Sequence, residues 1–119
     1  MAHYIQLKTH ADARGKLTVA EQEIPFSIKR VFYIYDVGTS ERGGHKNTGS
    51  QQVLICLNGT CTITIKTKKD ETSYPLTQAD QGLFVDTNEW HSMHTFSPGA
   101  ILLVFASAPY DPSDYVYEV

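Results

Sequence analysis

The chain has 119 residues, 41% of them hydrophobic and 19% charged, which is enough apolar content for a single domain over residues 1–119 and excludes extended disorder. Its 10 Lys and Arg against 13 Asp and Glu give a formal charge of −3, and the scattered basic residues disfavour a nucleic-acid partner. No apolar run approaches the roughly 20 residues of a membrane helix and the first residues lack a secretion-signal pattern, so we expect a cytoplasmic protein that does not span a membrane.

Short β-like runs separated by turn residues dominate the first half of the chain. Residues 28–37 are rich in β-branched and aromatic side chains and end at Gly38. Residues 53–57 are apolar, whereas residues 61–66 alternate between polar and apolar side chains. Because Asn58-Gly59 between these two runs favours a tight turn, we predict a β-hairpin here.

The second half continues in the same way, with further strands predicted at residues 82–86, 91–96 and 100–107. Asp111 and Pro112 have the pattern of the cap and the first residue of one short helical turn. About eight short strands without a long helical stripe favour an all-β antiparallel fold, for which a jelly-roll barrel is the leading candidate. A polar barrel interior would form a ligand cavity, and an apolar interior would only be core.

The first cluster of candidate functional residues reads Arg42-Gly43-Gly44-His45-Lys46-Asn47, and Gln52 follows it. On a strand His45 and Asn47 point to the same face, and the two preceding glycines permit a bulge or a close backbone approach. The alternative for His45 is an exposed loop position without a function.

The second cluster reads Glu89-Trp90-His91-Ser92-Met93-His94. On a strand His91 and His94 point to opposite faces, so only one of them can line a barrel interior. The alternative is that Trp90 anchors the core and that both histidines are hydrogen-bonded structural groups.

Three further side chains are candidates for proton transfer or binding. Tyr33 and Tyr35 share one face of their strand, which suggests a polar pocket, although packing at an interface explains them equally well. Arg14 lies in a turn-like segment, where its guanidinium could hold a diphosphate or simply be solvated.

The cysteines and histidines do not predict a metal site. Cys56 and Cys61 would face each other across the predicted hairpin, either as two buried thiols or as a redox pair. A barrel metal site of the His-x-His type with a carboxylate would need ligands where this chain has Asn47 and Gln52, and neutral amides bind first-row metals weakly. With only His45 and His91 left as ligands, we expect no metal cofactor.

Four segments together resemble the cupin-type sugar 3,4-ketoisomerases, the WxcM-like family that acts on dTDP-4-keto-6-deoxyglucose; they span residues 26–36, 42–61, 82–94 and 110–115. The resemblance runs in colinear order from about Arg14 to Tyr115. It implies a metal-free jelly roll that binds a dTDP-linked 4-keto-6-deoxy sugar in the barrel. It also implies a homodimer with exchanged N-terminal strands, and a role in making deoxysugars for bacterial surface glycans.

One position departs from the family pattern. Members with established isomerase activity typically carry His-x-His, whose second histidine is regarded as the principal base, and Asn47 stands at that position here. An asparagine cannot take a proton, although its amide can donate a hydrogen bond to an oxyanion. The functions to weigh are therefore a ketoisomerase, a non-catalytic nucleotide-sugar-binding cupin and a sugar-nucleotide epimerase.

Moving a ketone from C4 to C3 of a hexose requires a base at carbon, a proton transfer between the two oxygens, and donors for the enediolate. The hypothesis from the sequence is that His45 is the carbon acid/base and that Asn47 orients or stabilises the enediolate. Tyr33 or Tyr35 would move the oxygen proton. The other candidates would bind the substrate: Arg14, Arg42, Gln52, Trp90 and His91.

Overall fold

The computed structural model describes residues 1–119, which form twelve β-strands and one 3-10 helical turn. Every strand pair is antiparallel. The strands are β1 (His3–Gln6), β2 (Lys8–Asp12), β3 (Gly15–Val19), β4 (Arg30–Tyr35), β5 (Arg42–Asn47), β6 (Gln52–Asn58), β7 (Cys61–Lys66), β8 (Glu71–Leu76), β9 (Gln81–Val85), β10 (Trp90–His94), β11 (Ile101–Ala106) and β12 (Tyr115–Val116).

Two five-stranded sheets pack face to face. The first sheet has the strand order β1-β9-β6-β11-β4, and the second has the order β12-β5-β10-β7-β8. Their inner faces enclose a core of 14 buried side chains that both sheets supply, among them Leu54, Leu102 and Val104 from the first sheet and Ile63 and Met93 from the second. The predicted all-β antiparallel architecture is confirmed.

The first sheet is also covered on part of its outer face. A second cluster of buried residues there joins Val53, Ile55 and Phe84 of the sheet to Leu7 and Ile24 of the N-terminal region. The central strand β6 is therefore apolar at consecutive positions, because both of its faces are buried.

The predicted hairpin between residues 53–57 and 61–66 is wrong. Strand β6 pairs with β9 and β11, whereas β7 pairs with β8 and β10. The Asn58-Gly59 turn is present, with Gly59 at a φ of 69°, but it carries the chain from one sheet to the other. Cys56 and Cys61 are consequently not a cross-strand pair, and both are buried free thiols in the common core.

The sequence did not predict strands β1, β2, β3 and β8, because their side chains are mostly exposed and lack apolar alternation, nor the two-residue strand β12. Strands β2 and β3 pair only with each other and project as a hairpin, with Leu17 60% exposed. Strand β1 lies at one edge of the first sheet and β8 at one edge of the second, where Pro75 needs no ladder donor.

The helical turn predicted near the end of the chain is confirmed. Pro112–Asp114 form it, and the Asp111 carboxylate accepts a hydrogen bond from the Ser113 backbone N–H at 3.0 Å. The structure contains no helix of the length and apolarity needed to cross a lipid bilayer.

Candidate functional site

The inner surface of the barrel changes from apolar to polar along its length. On β6, Cys56 and Leu54 belong to the apolar core, but the next inward-facing residue is Gln52, which is 3% exposed. The second sheet places His45 and His91 at the same end, opposite one another in register. We call this region, with Asn47, the polar end of the barrel.

Two glycines position His45 at the polar end. The ladder between β5 and β10 contains a bulge, so that His91 pairs with His45 and Ser92 with Gly43. Gly43 and Gly44 both have φ near +78°, at 77° and 78° respectively, and a Cβ on Gly43 would lie 3.1 Å from the His91 carbonyl oxygen. Only glycine at position 43 permits this close approach, and the positive φ favours glycine at both positions.

His45 is half-buried and surrounded by aromatic rings. Its ring centroid lies 5.0 Å from that of His91 and 4.6 Å from that of Tyr115. Burial lowers the pKa of His45 below its ordinary value. The Gly43 backbone, the Asn47 side chain and the Asp114 carboxylate oppose the change, and the positive charge of Arg30 adds a small contribution to the lowering. The imidazole is therefore neutral near pH 7 and able to accept a proton.

His91 presents a bare ring nitrogen to the polar end. Its Nδ1 lies 3.0 Å from the Glu89 carbonyl oxygen, and since a carbonyl only accepts, Nδ1 carries the hydrogen. Burial lowers the pKa of His91 to about 4, so the ring is neutral and Nε2 holds a lone pair. Nε2 is buried without a hydrogen-bond partner.

Asn47 also presents an acceptor. Its Nδ2 donates to the Asp114 carboxylate at 2.9 Å, and because a carboxylate only accepts, this fixes which end of the amide faces Asp114. Asn47 Oδ1 is left buried without a partner. The amide nitrogen carries two hydrogens and Asp114 accepts one of them, so the hypothesis that Asn47 orients or stabilises the enediolate stays a prediction.

Asp114 is the centre of a network that the sequence analysis missed. Besides Asn47, its carboxylate accepts from Ser50 Oγ at 2.7 Å, from Thr48 Oγ1 at 3.3 Å and from the Gly49 backbone N–H. Burial raises the pKa of Asp114, but these hydrogen bonds outweigh it, so the pKa lies below its ordinary value. The network ties the turn after β5 to the C-terminal helical turn.

The polar end thus carries three buried acceptor atoms without partners: Asn47 Oδ1, Gln52 Oε1 and His91 Nε2. Buried polar groups are normally hydrogen-bonded, and leaving one unpaired costs about 1–3 kcal/mol. Several unpaired acceptors around a neutral base are the complement of a ligand with several hydroxyl donors.

Arg30 is a second residue that the sequence analysis missed. It lies on the inner side of β4, its guanidinium is 4.5 Å from the Phe32 ring centroid, and its Nη2 donates to the Tyr115 hydroxyl at 3.2 Å. It forms no ion pair with a carboxylate of this chain. Arg30 and Phe32 lie two residues apart and therefore share one face of β4. The sequence alone did not show which face of β4 points into the barrel, so it could not place Arg30 inside.

The C-terminal segment lies over the polar end. Strand β12 pairs with β5 through Tyr115 opposite Asn47, and the Tyr117 carbonyl accepts from Trp90 Nε1 at 3.0 Å. The main surface depressions of the molecule do not include His45, Gln52 or His91, and several of them lie at the β2–β3 hairpin. One depression borders the Asp114 network from outside. Trp90 itself points away from the barrel interior, so it anchors this segment and does not line the polar end.

Tyr33 and Tyr35 do not reach this site. Their side chains lie on the outer face of the first sheet, 63% and 58% exposed, with their rings stacked at 5.9 Å. Alternation along β4 turns Arg30, Phe32 and Ile34 inward instead. The expectation that either tyrosine moves a proton beside His45 is therefore wrong for this chain.

The two arginines expected to bind the sugar or diphosphate are also remote from His45 within one chain. Arg14 lies at the tip of the β2–β3 hairpin, 91% exposed, with Nη2 2.7 Å from the Asp12 carboxylate. Arg42 is exposed at the beginning of β5, opposite Met93, toward the apolar end of the barrel.

The polar end contains few side chains that could bind a metal ion. No group of three or more His, Cys, Asp or Glu side chains comes together in the structure. The polar end places the amides of Asn47 and Gln52 near His45 and His91, and amides are poor ligands for first-row metals. That the protein works without a metal stays a prediction.

Comparison with known proteins gives consistent matches over the whole chain. The family model FdtA, described as "WxcM-like, C-terminal", matches residues 1–119. A TDP-4-oxo-6-deoxy-alpha-D-glucose-3,4-oxoisomerase from Aneurinibacillus thermoaerophilus is 41% identical over 115 residues, which cover 94% of this chain and 83% of that protein.

Solved structures match equally well. A double mutant of the QdtA 3,4-ketoisomerase from Thermoanaerobacterium thermosaccharolyticum, in complex with TDP, is 42% identical with a TM-score of 0.95, over 98% of this chain and 87% of that chain. A His-to-Asn mutant of the same enzyme, in complex with TDP-4-keto-6-deoxyglucose, is 39% identical with a TM-score of 0.95, over 98% and 87% of the two chains.

Proposed function

Because the chain belongs to the FdtA (WxcM-like, C-terminal) family, as its sequence predicted, we propose that it is a dTDP-4-keto-6-deoxyhexose 3,4-ketoisomerase. The enzyme moves the ketone from C4 to C3 through an enediol, as a step toward deoxysugars of bacterial surface glycans. The observation that carries the proposal is a neutral imidazole, His45, inside the barrel among three unpaired hydrogen-bond acceptors.

In this proposal His45 performs the proton transfers at carbon. Its neutral ring takes the hydrogen from C3 as a proton, and the electrons of the C–H bond form the C3–C4 double bond of the enediolate. The resulting imidazolium returns a proton to C4. One base on one face of the sugar can serve both steps, so the absence of a second histidine at position 47 does not by itself prevent the reaction.

The unpaired acceptors hold the sugar. Asn47 Oδ1, Gln52 Oε1 and His91 Nε2 each accept a hydrogen bond from a hydroxyl donor and lose the penalty of being buried alone. Asn47 therefore acts as a positioning residue that Asp114 keeps in place. A His-to-Asn mutant of QdtA was solved with the keto-sugar bound, which supports the proposal that an asparagine in such a site is compatible with substrate binding.

Arg30 supplies the positive charge for the enediolate. Its guanidinium stands at the polar end without a carboxylate partner, and its charge adds a small contribution to the lowered pKa of His45, which burial mainly causes. A fixed cation beside a developing oxyanion stabilises it most where water is excluded.

The enzyme is proposed to act as a homodimer that exchanges its N-terminal strands. Supporting this, the β2–β3 hairpin pairs with no other strand of its own chain and carries an exposed Leu17 at its side. In the exchanged dimer, Arg14 at the hairpin tip would serve the partner's site, where its guanidinium suits the diphosphate. Light scattering tests this, and a monomeric mass at micromolar concentration contradicts it.

The experiment that tests the function is incubation with dTDP-4-keto-6-deoxyglucose in deuterium oxide. We expect deuterium at C3 of recovered substrate together with a new 3-keto sugar, both followed by NMR. Binding without exchange or conversion would instead indicate a non-catalytic nucleotide-sugar-binding cupin. Asn47 is compatible with that alternative, because its side chain cannot take up a proton. Exchange without rearrangement would indicate epimerase-type chemistry.

A further inference from the structure

One step of the proposed reaction has no residue assigned to it at the polar end of the barrel. The carbon steps have His45, but the proton that leaves O3 and the proton that arrives at O4 need a carrier. Tyr33 and Tyr35 are on the outer face, and Asn47 cannot exchange protons. Phe32, which does face inward, has no hydroxyl.

We propose that Tyr115 is the catalytic residue for proton transfer between the two sugar oxygens, an inference that rests on the proposed function. Tyr115 pairs with Asn47 in the ladder, so the two side chains share the face that points to the polar end. Its ring lies 4.6 Å from the ring of His45. A sugar bound against His45 would therefore lie beside Tyr115.

The hydroxyl of Tyr115 is placed between the two sheets. Its ring starts from the edge strand of the second sheet, and its oxygen accepts a hydrogen bond from Arg30 Nη2, which belongs to the edge strand of the first sheet. The guanidinium occupies the oxygen as a donor only, so the hydroxyl hydrogen remains available to a ligand. Tyr115 OH thus holds a mobile proton within reach of the position expected for the reacting sugar.

The proton balance of the step is complete without another reactant. His45 first takes the C3 proton while Arg30 stabilises the charge that develops on O4. The Tyr115 hydroxyl then gives its proton to O4, and Arg30 stabilises the phenolate oxygen that results. The phenolate then takes the proton from O3 as the C3 ketone forms and His45 returns a proton to C4. The tyrosine and the histidine end in their starting states.

The anchoring of the C-terminal segment supports a defined position for this hydroxyl. Tyr115 follows the turn whose Asp114 carboxylate accepts hydrogen bonds from Asn47 and Ser50. Two residues further on, the Tyr117 carbonyl is held by Trp90. The same network that orients Asn47 therefore also fixes the backbone on which Tyr115 stands.

The test compares Tyr115→Phe with Tyr117→Phe as the matched control. Tyr117 is 70% exposed, and its ring lies 6.1 Å from the ring of His45, but its hydroxyl makes no hydrogen bond. Because phenylalanine keeps the ring, loss of the Tyr117 hydroxyl should change neither rate. For each variant, C3 deuterium exchange and appearance of the 3-keto sugar are measured separately by NMR, with dTDP affinity by calorimetry. The wild-type chain is measured alongside.

For Tyr115→Phe we expect conversion to fall by about 10²–10³-fold, while C3 exchange falls much less and dTDP affinity is unchanged. A rate of C3 exchange that exceeds the rate of conversion would identify Tyr115 as the proton carrier, because a misfolded variant would lose both rates together. Parallel loss of both rates, or conversion at the wild-type rate, overturns the role of Tyr115. A wild-type chain that binds dTDP but neither exchanges nor converts overturns the proposed function, and this role with it.

Discussion

The two ends of the barrel are built from the same strands but differ in their buried side chains, which are aliphatic at one end and polar at the other. At the apolar end, Leu54 is fully buried among aliphatic side chains from both sheets. Two residues earlier on the same face of β6, Gln52 is almost as buried but has an acceptor without a partner. Burial alone therefore does not distinguish core from site in this protein. The distinction is whether the buried atoms are satisfied.

The difference has an energetic meaning. Aliphatic side chains at the apolar end each contribute about 1.5–3 kcal/mol through burial. The unpaired acceptors at the polar end reduce stability by a comparable amount each. The apolar end thus stabilises the fold, and hydroxyl donors of a ligand would satisfy the acceptors of the polar end.

The largest expected effect comes from removing the base at the polar end. His45→Asn keeps a polar group of smaller size but cannot take a proton, so C3 exchange and conversion should fall by about 10²–10⁴-fold. NMR of the recovered sugar measures both. His94→Asn is the control, because His94 lies on the other face of β10 and bonds to Thr64. Wild-type exchange in His45→Asn would remove this residue from the mechanism.

Lowering the pH should reduce the free energy of unfolding, because His91 is buried in its neutral form at the polar end. In the unfolded chain its pKa is about 6.5, whereas in the folded chain it is about 4. Between these values only the unfolded state takes up the proton, so the free energy of unfolding should fall by about 3 kcal/mol from pH 6.5 to pH 4 and level off below. Urea unfolding over this range measures it, and His91→Gln should lack this component. An unchanged pH profile in His91→Gln would contradict the assignment.

A second imidazole at the polar end should increase turnover. In Asn47→His the Asp114 carboxylate can accept from the new ring and orient it, so turnover should rise by about 10²-fold. Steady-state conversion of the keto-sugar measures the gain. Combining the change with Asp114→Asn should cancel most of it. No gain in Asn47→His would mean that the site is organised around the asparagine.

The smallest expected effect comes from making the polar end resemble the apolar end. Gln52→Leu removes an unpaired buried acceptor, so the free energy of unfolding should rise by about 1 kcal/mol while KM for the keto-sugar increases. Leu54→Gln is the mirror-image control and should lower stability. Lower stability in Gln52→Leu as well would show that the amide is satisfied in solution.

Much of this protein follows from local patterns in its sequence. The extended backbone of β4, β6, β7, β9, β10 and β11 and the cap at Asp111 are set by side chains a few residues apart, and the structure has them at nearly the predicted positions. The residues His45, Asn47, Gln52 and His91 were also identified from their types and spacing. Their roles in the reaction stay predictions.

Tertiary structure alone decided which strands pair and which face of each strand is inside. The turn at Asn58-Gly59 suits a hairpin, but β6 is apolar on both faces and is more stable between β9 and β11 than beside β7. Likewise, β4 carries aromatic or aliphatic residues on both faces, so its sequence could not indicate that Arg30 points inward and Tyr33 outward. Local sequence fixes the alternation of a strand, whereas its direction depends on the sheet that packs against it, and that sheet comes from distant parts of the chain.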